Sequence, residues 1–318
     1  MRKILLIKTS SLGDVVHNFP AVSDIRRNFP DAAIDWVVEE AYLPLVALHP
    51  GVRRGIPVAI RRWRRRPLSF ATWTELGKLL QTFKRDQYDA IVDTQGLIKS
   101  ALLALAARGR RHGFDAASAR EPIAARFYDV CHQVARDQHA VVRNCELAAR
   151  ALGYRQEEVI EYGLRSGGSR LSRTRECRIV LLHSTSRADK HWPEDQWVEL
   201  GKLLEAAGAA VVLPWGSINE RLRSERIASS LRHAQIPEAL SMQAVAALLE
   251  QCNGVAGLDT GLTHLAAALG TPVAAIYCAT DPGLTGVYGA TRARNLGGPG
   301  RSPQAPQVFE ALQNCGAM

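Results

Sequence analysis

The turn that follows the first apolar stretch of the chain has the residue types of an anion-binding or reactive site. Residues 4–7 (ILLI) are typical of a buried strand, and the next seven residues are Lys8-Thr-Ser-Ser-Leu-Gly-Asp14. A small polar turn that ends in a carboxylate can cap a helix, cradle a phosphate or supply a general base. The spacing Ser11-x-x-Asp14 fits a capping box with Asp in place of Glu, so both a structural and a chemical role stay open at this point.

A second polar group follows the apolar run at residues 178–183. It reads HSTSRADKHWPED and contains the hydroxyls of Thr185 and Ser186 and the ammonium of Lys190. Such a set suits an anionic oxygen, and Pro193 marks the first turn of a helix directly after it. An ordinary hydrophilic connection is the alternative interpretation.

A third group, GLDTGLTHLAAAL, places a strand end, a tight turn at Asp259-Thr260-Gly261 and a helix start in one stretch. Free backbone N–H groups and the positive end of the helix dipole form a natural diphosphate site there. His264 lies in the first turn and adds a possible donor. Asp259 or Thr260 could instead simply cap the helix, a role compatible with phosphate binding.

Two more features carry charge at predicted strand ends. Glu220 follows LPWGSIN, where it could accept hydrogen bonds from a ribose diol or serve only as an acidic residue at a helix start. Residues 61–66 (RRWRRR) pack five guanidiniums around Trp63. Guanidiniums suit phosphate and carboxylate oxygens, although most charge runs are solvated faces.

The elements that would position these groups alternate between strand-like and helix-like patterns, which is typical of βαβ units. The sequence predicts strands at residues 3–8, 33–38, 90–93, 178–183, 210–214, 254–258 and 273–278. It predicts helices at residues 19–28, 74–84, 144–152, 195–206, 219–231, 242–251 and 262–269. The fold class is therefore α/β with parallel sheets, whose ligands bind beyond the carboxyl ends of the strands.

The chain is long enough for two domains. We predict an N-terminal Rossmann-like domain at residues 1–165, a Gly-, Ser- and Arg-rich linker at 166–177, and a second Rossmann-like domain at 178–302. A C-terminal helix at residues 303–318 is expected to pack back on the N-terminal domain. The two domains are expected to face each other across a cleft.

Composition limits the class of protein. Of the 318 residues, 47% are hydrophobic and 22% charged, as in globular proteins, and no apolar run approaches the roughly 20 residues of a membrane span. Residues 1–170 hold 27 Lys or Arg against 18 Asp or Glu, whereas the remainder holds 13 of each. The basic first half indicates an anionic partner. A signal-peptide pattern is missing, so we expect a cytosolic protein.

Several motifs are absent. The sequence has no P-loop, no GxGxxG after the first strand, no HExxH, no Asp-x-Asp and no CxxC pair among its six cysteines. These absences remove support for P-loop hydrolysis, dinucleotide redox chemistry and metalloprotease or zinc sites. They favour a diphosphate site without a metal, built from Lys, hydroxyls and a helix start.

Many ordered blocks resemble one family. They are KTSSLGDVVHNFPA, WVVEE, VAIRRWR, YDAIVDTQGLIKSA, AREPIA, QHAVVR, HSTSRADKHWPEDQW, LPWG, DTGLTHLAAALGTP and TDPGL. The chain resembles the heptosyltransferases of lipopolysaccharide core assembly, glycosyltransferase family 9, and AIRRWR with AREP points to the members that add the first heptose. Cys278-Ala279 before TDPGL and the tail after Gly297 depart from the family pattern.

The resemblance implies a GT-B fold with the donor site in the C-terminal domain and the acceptor site in the N-terminal one. It implies an inverting, metal-independent transfer of heptose from ADP-L-glycero-β-D-manno-heptose to O5 of the first Kdo of Kdo2-lipid A, with no cofactor. A related heptosyltransferase with another acceptor is the alternative within the family.

The resemblance also implies roles for individual residues. Asp14 matches the base, and Lys190 is assigned both to catalysis and to the donor diphosphate. The other donor-binding assignments are Ser11, Gly13, Thr185, Ser186, Glu220, Asp259, Thr260, Gly261 and His264. The acceptor-binding assignments are Arg61, Arg62, Arg64 and Arg120.

The expected partners follow from the same resemblance. They are ADP-heptose, Kdo2-lipid A and the anionic cytoplasmic face of the inner membrane, to which the arginines would hold a monomer by reversible electrostatic attraction. A nucleic-acid-binding protein that grips phosphates with residues 61–66 is the rival from another class. The neutral second half and an aromatic content of only 6% make it the weaker interpretation.

Overall fold

The computed structural model describes residues 2–164, 177–185 and 187–318. It divides into two units, Met1–Gly163 and Leu164–Met318. The linker predicted at residues 166–177 lies outside the described residues apart from Cys177, and so does the predicted donor ligand Ser186.

The first unit contains a six-stranded parallel sheet in the order β3-β2-β1-β4-β5-β6. Its central strand β1 pairs with β2 and β4, so that Ile7 lies opposite Val37 on one side and Asp93 on the other. The apolar residues of β1 are fully buried, as expected for a central parallel strand. The strands are β1 Lys3–Ile7, β2 Ala33–Glu39, β3 Val52–Val58, β4 Gln87–Asp93, β5 Arg108–Phe114 and β6 Val130–His132.

In the part of the first unit that the structure describes, seven α-helices connect and flank these strands. They are α1 Leu12–Val16, α2 Phe19–Asn28, α3 Leu43–Val46, α4 Ile60–Arg65, α5 Phe70–Arg85, α6 Ile98–Ala106 and α7 Ala140–Leu152. Short 3-10 helices lie at Glu40–Tyr42 and Pro122–Phe127. Helix α7 ends at Gly153, whose φ of 75° is the left-handed conformation that glycine adopts at low cost.

The second unit repeats the architecture. Its six parallel strands have the order β12-β11-β10-β7-β8-β9. When the strands are numbered from the first strand of each unit, both sheets have the order 3-2-1-4-5-6. This is the strand order of a doubly wound Rossmann sheet. The strands are β7 Arg178–Leu182, β8 Ala210–Val212, β9 Ala234–Gln235, β10 Gly254–Leu258, β11 Val273–Tyr277 and β12 Ala293–Gly297.

The helices of the second unit are α8 Glu194–Ala206, α9 Ile218–Ala228, α10 Met242–Gln251, α11 Gly261–Ala268, α12 Pro282–Thr285 and α13 Ala305–Asn314. A 3-10 helix covers Ala188–Lys190. The core includes Trp192, Trp197 and Leu200, all buried, with the two indoles packed edge to face.

The last helix corrects one expectation. We expected the C-terminal helix to pack back on the N-terminal domain, but the apolar face of α13 packs in the core of the second unit. Val308 and Leu312 are fully buried there, and α13 contacts α8, β10 and β11. The indole N–H of Trp192 donates to the carbonyl of Pro303 at 2.8 Å, which ties the start of this segment to the same unit.

Candidate active site

Both sheets place their polar groups at the topological switch point. In the order 3-2-1-4-5-6 the chain reverses direction between the first and fourth strands of the unit, and ligands bind beyond the carboxyl ends of those strands. In the first unit Asp14 follows β1, and Gln95 and Lys99 follow β4. In the second unit Lys190 follows β7 and Asp259 follows β10.

Asp14 occupies the first turn of α1 and does form a capping box. Its Oδ2 accepts hydrogen bonds from the Ser11 backbone N–H at 2.7 Å and from the Ser11 hydroxyl at 3.2 Å. The capping interpretation of this stretch is therefore confirmed. Asp14 is only half-buried, so the cap does not seal the carboxylate from a ligand.

The loop before Asp14 is held from β4. The side-chain oxygen of Gln95 accepts from the backbone N–H groups of Thr9 and Ser10 at 2.9 and 3.2 Å, and its amide donates to the Ser10 carbonyl at 2.7 Å. The Lys99 ammonium donates to the Ser10 hydroxyl at 3.1 Å. Sequence reasoning missed Gln95 and Lys99, although both lie in the block QGLIKS directly after a predicted strand.

A buried cation lies near Asp14. The Lys8 ammonium donates to the Thr94 carbonyl at 2.7 Å and to the Asn144 side-chain oxygen at 3.3 Å. Burial lowers the pKa of Lys8, and the negative charges of Asp14 and Asp93 oppose that shift. The ammonium of Lys8 and the carboxylate of Asp14 therefore attract each other across this turn.

Arg62 is held by carboxylates of its own unit. Its guanidinium contacts Glu40 and Glu75, each at 2.9 Å, and these contacts raise its pKa further. Glu75 also accepts a hydrogen bond from the Trp63 indole at 2.7 Å. Arg62 thus joins α4 to α5 and is less available for an acceptor than the sequence predicts.

Arg61, Arg64 and Arg120 lie within electrostatic reach of the Asp14 region. Burial lowers the pKa of Lys99, Glu39 raises it, and the positive charges of Arg61 and Arg64 lower it further. Arg120 acts in the same sense on the pKa of Lys8. Three of the four predicted acceptor arginines therefore lie within electrostatic range of Lys8 or Lys99, two lysines whose pKa also responds to the charge of Asp14.

In the second unit, Asp259 is the centre of a hydrogen-bonded cluster. Its Oδ2 accepts from the Lys190 ammonium at 2.7 Å and from the Thr280 hydroxyl at 2.6 Å, while Oδ1 lies 3.5 Å from Nε2 of His264. Burial would raise the pKa of Asp259, but these donors outweigh it and hold that pKa well below its usual range. Thr280 was missed because the block TDPGL lies in a separate loop of the chain.

The helix after Asp259 has the geometry of an anion site. Thr260 is the N-cap of α11 and makes no side-chain cap bond, so the amides of the first turn are not capped by it. The Thr263 hydroxyl instead donates to the Leu258 carbonyl at 2.6 Å. Gly257 must lack a side chain, because a Cβ there would lie 2.3 Å from that hydroxyl oxygen. A lysine beside a helix N-terminus is a strong combination for diphosphate.

Glu220 lies in the first turn of α9, the helix that follows the neighbouring strand β8. One of its oxygens accepts from the Gly216 backbone N–H at 2.7 Å, and Ser217 caps α9 through a hydrogen bond from the Glu220 N–H at 3.4 Å. Thr185 is half-buried in the loop after β7. The structure thus brings Thr185, Lys190, Glu220 and Asp259 to the carboxyl ends of three adjacent strands, β10, β7 and β8.

The described residues contain neither a metal-ligand cluster nor a membrane-spanning helix. Within residues 2–164, 177–185 and 187–318, no three His, Cys, Asp or Glu side chains group closely enough to hold a metal ion. In the same ranges no helix has the length and apolar character needed to cross a bilayer. Metal-independent transfer stays a prediction.

Comparison with known proteins identifies relatives of this chain. The sequence profile of glycosyltransferase family 9 (heptosyltransferase) matches residues 76–308. Lipopolysaccharide heptosyltransferase 1 of Escherichia coli K12 is 41% identical over 90% of this chain and 91% of its own. The Pseudomonas aeruginosa PAO1 protein of the same name is 43% identical over 91% of this chain and 82% of its own.

Solved structures match over almost the whole chain. E. coli heptosyltransferase WaaC with ADP superimposes with a TM-score of 0.92 at 38% identity, covering 98% of this chain and 99% of that one. The same enzyme with ADP-2-deoxy-2-fluoro heptose gives a TM-score of 0.86. Fold and site together define a GT-B glycosyltransferase. The chain belongs to glycosyltransferase family 9, the heptosyltransferases.

Proposed function

We propose that this chain transfers L-glycero-D-manno-heptose from ADP-heptose to O5 of the first Kdo of Kdo2-lipid A, in the inner core of lipopolysaccharide. Relatives at 41–43% identity are named lipopolysaccharide heptosyltransferase 1. The observation that carries the proposal is the Lys190–Asp259 pair at the start of α11, where the donor diphosphate would bind.

The proposed step is a single displacement. Asp14 takes the proton of the acceptor hydroxyl, whose oxygen forms a bond to the anomeric carbon of the heptose. The bond from that carbon to the β-phosphate oxygen breaks, and ADP leaves with the electron pair from the opposite face, which inverts the anomeric configuration. A positioned base typically contributes about 10²–10⁴-fold to such a step.

The second unit would supply the donor site. Lys190 and the amides that begin α11 at Gly261 would stabilise charge growing on the departing diphosphate, which is often worth roughly 3–4 kcal/mol per well-placed donor. His264 is close enough to Asp259 to orient it. The remaining oxygen of Glu220 is suited to a ribose hydroxyl.

The first unit would supply the acceptor site. Arg61, Arg64 and Arg120 lie in the electrostatic environment of Lys8 and Lys99, so the region can meet the carboxylates and phosphates of an acidic glycolipid. We propose that the protein acts as a monomer at the cytoplasmic face of the inner membrane, where such an acceptor is presented.

Two alternatives are weaker. Salmonella typhimurium lipopolysaccharide heptosyltransferase 2 is 26% identical to this chain, well below the 41% of the E. coli heptosyltransferase 1, which favours the first-heptose acceptor. A nucleic-acid-binding role rests on the arginine run alone. Arg62 of that run is already engaged by Glu40 and Glu75.

The deciding experiment incubates the purified chain with ADP-heptose and deacylated Kdo2-lipid A. We expect a product heavier by one heptose, detected by mass spectrometry, with the new linkage at O5 established by NMR. The same reaction with EDTA should proceed at an unchanged rate.

Parallel reactions separate the alternatives. GDP- and UDP-sugars should give no product if the donor assignment is right. An acceptor that already carries the first heptose should also stay unmodified, whereas its conversion would support the second-heptose alternative. If the chain transfers heptose to neither acceptor, the proposed function is wrong.

A further inference from the structure

Four large apolar side chains are exposed within one short stretch of the first unit. Leu68 is 91% exposed, Phe70 87%, Trp73 63% and Leu80 43%. Single exposed apolar residues are common on proteins, but a group that includes Phe and Trp marks an interaction surface. We call these four residues the insertion face.

Helix α5 carries most of this face as a second apolar stripe. Leu79 and Phe83 point into the core of the unit and are buried. At about 100° per residue, Phe70, Trp73 and Leu80 fall in a sector only about 80° wide, displaced from the buried residues. Burial in the core explains the stripe formed by Leu79 and Phe83, but it does not explain the exposed stripe of α5.

The sequence that carries the insertion face is strongly basic. Between residues 60 and 85 there are eight Lys or Arg and a single carboxylate, Glu75. Glu75 is bonded to Arg62 and to the Trp63 indole, and Arg62 is also paired with Glu40, so the other seven cations lie outside this cluster. Lys78, Lys84 and Arg85 lie on the same helix as the exposed apolar residues.

Apolar and aromatic side chains bordered by cations match one kind of surface. Trp and Phe prefer the boundary between head groups and acyl chains, while Lys and Arg bind anionic head groups. A second protein copy with the same basic surface would be repelled. The charge pattern therefore selects an anionic bilayer over a self-interface.

We propose that the insertion face enters the head-group boundary of an anionic lipid bilayer and anchors the first unit there. This rests on the proposed function only in that the proposed acceptor is a membrane glycolipid. Arg65, Arg66, Lys78 and Lys84 contact lipid phosphates around the inserted side chains. Membrane attachment then has an apolar component that salt does not screen, which the purely electrostatic expectation from the sequence does not include.

Vesicle binding without any acceptor tests this directly. The full chain is sedimented with vesicles of phosphatidylethanolamine and phosphatidylglycerol, at low salt and at about 1 M NaCl, where the Debye length is about 3 Å. The wild type should bind at low salt and retain a measurable fraction at high salt. Phe70→Ser/Trp73→Ser should bind about tenfold or more weakly at low salt and not at all at high salt.

A matched control lies on the same unit. Leu102 and Leu105 are 49% and 48% exposed on α6, so Leu102→Ser/Leu105→Ser also removes two exposed apolar side chains, but elsewhere on the unit, and should leave vesicle binding unchanged. Circular dichroism and the Tm should show all variants folded. Salt-resistant binding by Phe70→Ser/Trp73→Ser equal to the wild type would overturn the proposal.

Two further measurements distinguish bilayer insertion from a role in acceptor binding or in dimer formation. Turnover of the deacylated, water-soluble acceptor should be the same for Phe70→Ser/Trp73→Ser and the wild type, since the insertion face only contacts lipid. A loss of that turnover would place these residues in the acceptor site instead and contradict the proposal. If light scattering shows a dimer that the double variant abolishes, the face binds a second copy and the bilayer assignment is wrong. If the wild type binds vesicles but transfers no heptose, the proposed function is wrong while the proposal for the insertion face still holds.

Discussion

The Lys190 ammonium lies 2.7 Å from Oδ2 of Asp259, although 69 residues separate them along the chain. The two side chains are only 16% and 9% exposed, so the pair is partly desolvated. Its geometry ties the loop after β7 to the turn after β10, the two strands that flank the switch point of the second sheet. A lysine fixed by a carboxylate at a helix start is preorganised for the diphosphate it is proposed to bind.

Replacing Lys190 by Met should lower kcat by about 10²–10³-fold, because the charge that develops on the leaving diphosphate loses its cation. Asp259→Asn should mainly raise the donor KM, since Lys190 then keeps its charge but loses its orientation. The loss of kcat/KM in the double variant should be smaller than the product of the losses in the two single variants. Steady-state kinetics of the wild type, both single variants and the double variant would measure this.

Arg187→Ala is the control, because Arg187 pairs with the exposed Asp189 in the same loop and should change kcat by less than about twofold. Strictly multiplicative effects of the single variants would argue against a coupled pair.

Asp14→Asn separates catalysis from capping. The Asn side-chain oxygen can still accept from the Ser11 backbone N–H, so α1 keeps its cap, while the amide cannot take a proton. We expect turnover to fall by at least about 10²-fold with ADP affinity nearly unchanged, measured by product formation and calorimetry. Ser11→Ala removes the 3.2 Å hydroxyl contact to Asp14 and the Ser11 half of the capping box but keeps the carboxylate, so it should lower turnover far less than Asp14→Asn. Near-normal turnover by Asp14→Asn would leave Asp14 a purely structural role.

The predicted acceptor arginines should not contribute equally. Arg62 is occupied by Glu40 and Glu75, whereas no ion pair joins Arg64 to a carboxylate among the residues that the structure describes. Arg64→Ala should therefore raise the KM for the acceptor by about tenfold and leave the donor KM unchanged, since hydrogen bonds to charged groups contribute about 1.5–3 kcal/mol. Arg62→Ala should raise the KM for the acceptor much less than Arg64→Ala does. Equal effects of both substitutions would contradict this division.

Protonation of buried histidines should limit stability in acid. His183 bonds through Nε2 to the Ser224 hydroxyl at 2.8 Å and through Nδ1 to the Ser184 hydroxyl at 2.9 Å, and Ser224 in turn donates to the Leu213 carbonyl. The ring is therefore neutral in the folded state. Its pKa is lowered from 6.5 to about 4, mainly because the ring is buried. In the unfolded chain His183 takes up a proton below about pH 6.5, whereas in the folded chain it does so only near pH 4. The contribution of neutral His183 to the free energy of unfolding is therefore complete above pH 6.5 and is lost as the pH falls towards 4.

We expect the free energy of unfolding to decrease by up to about 1.4 kcal/mol per pH unit for each such histidine in that range. Thermal unfolding at several pH values between neutral and about pH 4.5 would measure the slope, which should flatten in His183→Asn. His49, whose pKa burial also lowers to about 4, stays as an internal reference in the first unit. An unchanged slope in the His183→Asn protein would show that His183 takes up its proton over the same pH range in the folded and unfolded chains, which contradicts the prediction.

Local sequence patterns predicted the central strands well and the outer strands poorly. Strand β1 is a continuous apolar run because both of its faces are buried, and such a run is visible without any structure. Strands β3 (VRRGIPV) and β5 (RGRRHGF) were not predicted, since their charged residues, glycine and proline are unfavourable in isolation. They form because a neighbouring strand already offers its backbone groups, as β3 pairs with β2 and β5 with β4.

The sequence alone determined the α/β class, the family and the positions after each strand at which polar groups had to lie, because these depend on patterns within a few tens of residues. Only the tertiary structure decided which of those groups meet. Thr280 reaches Asp259, Gln95 holds the turn before Asp14, and Arg62 pairs with Glu40 and Glu75, since sheet order brings together loops that are distant in the chain. The packing of α13 and the exposure of the insertion face were decided there too, because an apolar side chain does not reveal by itself which surface will cover it.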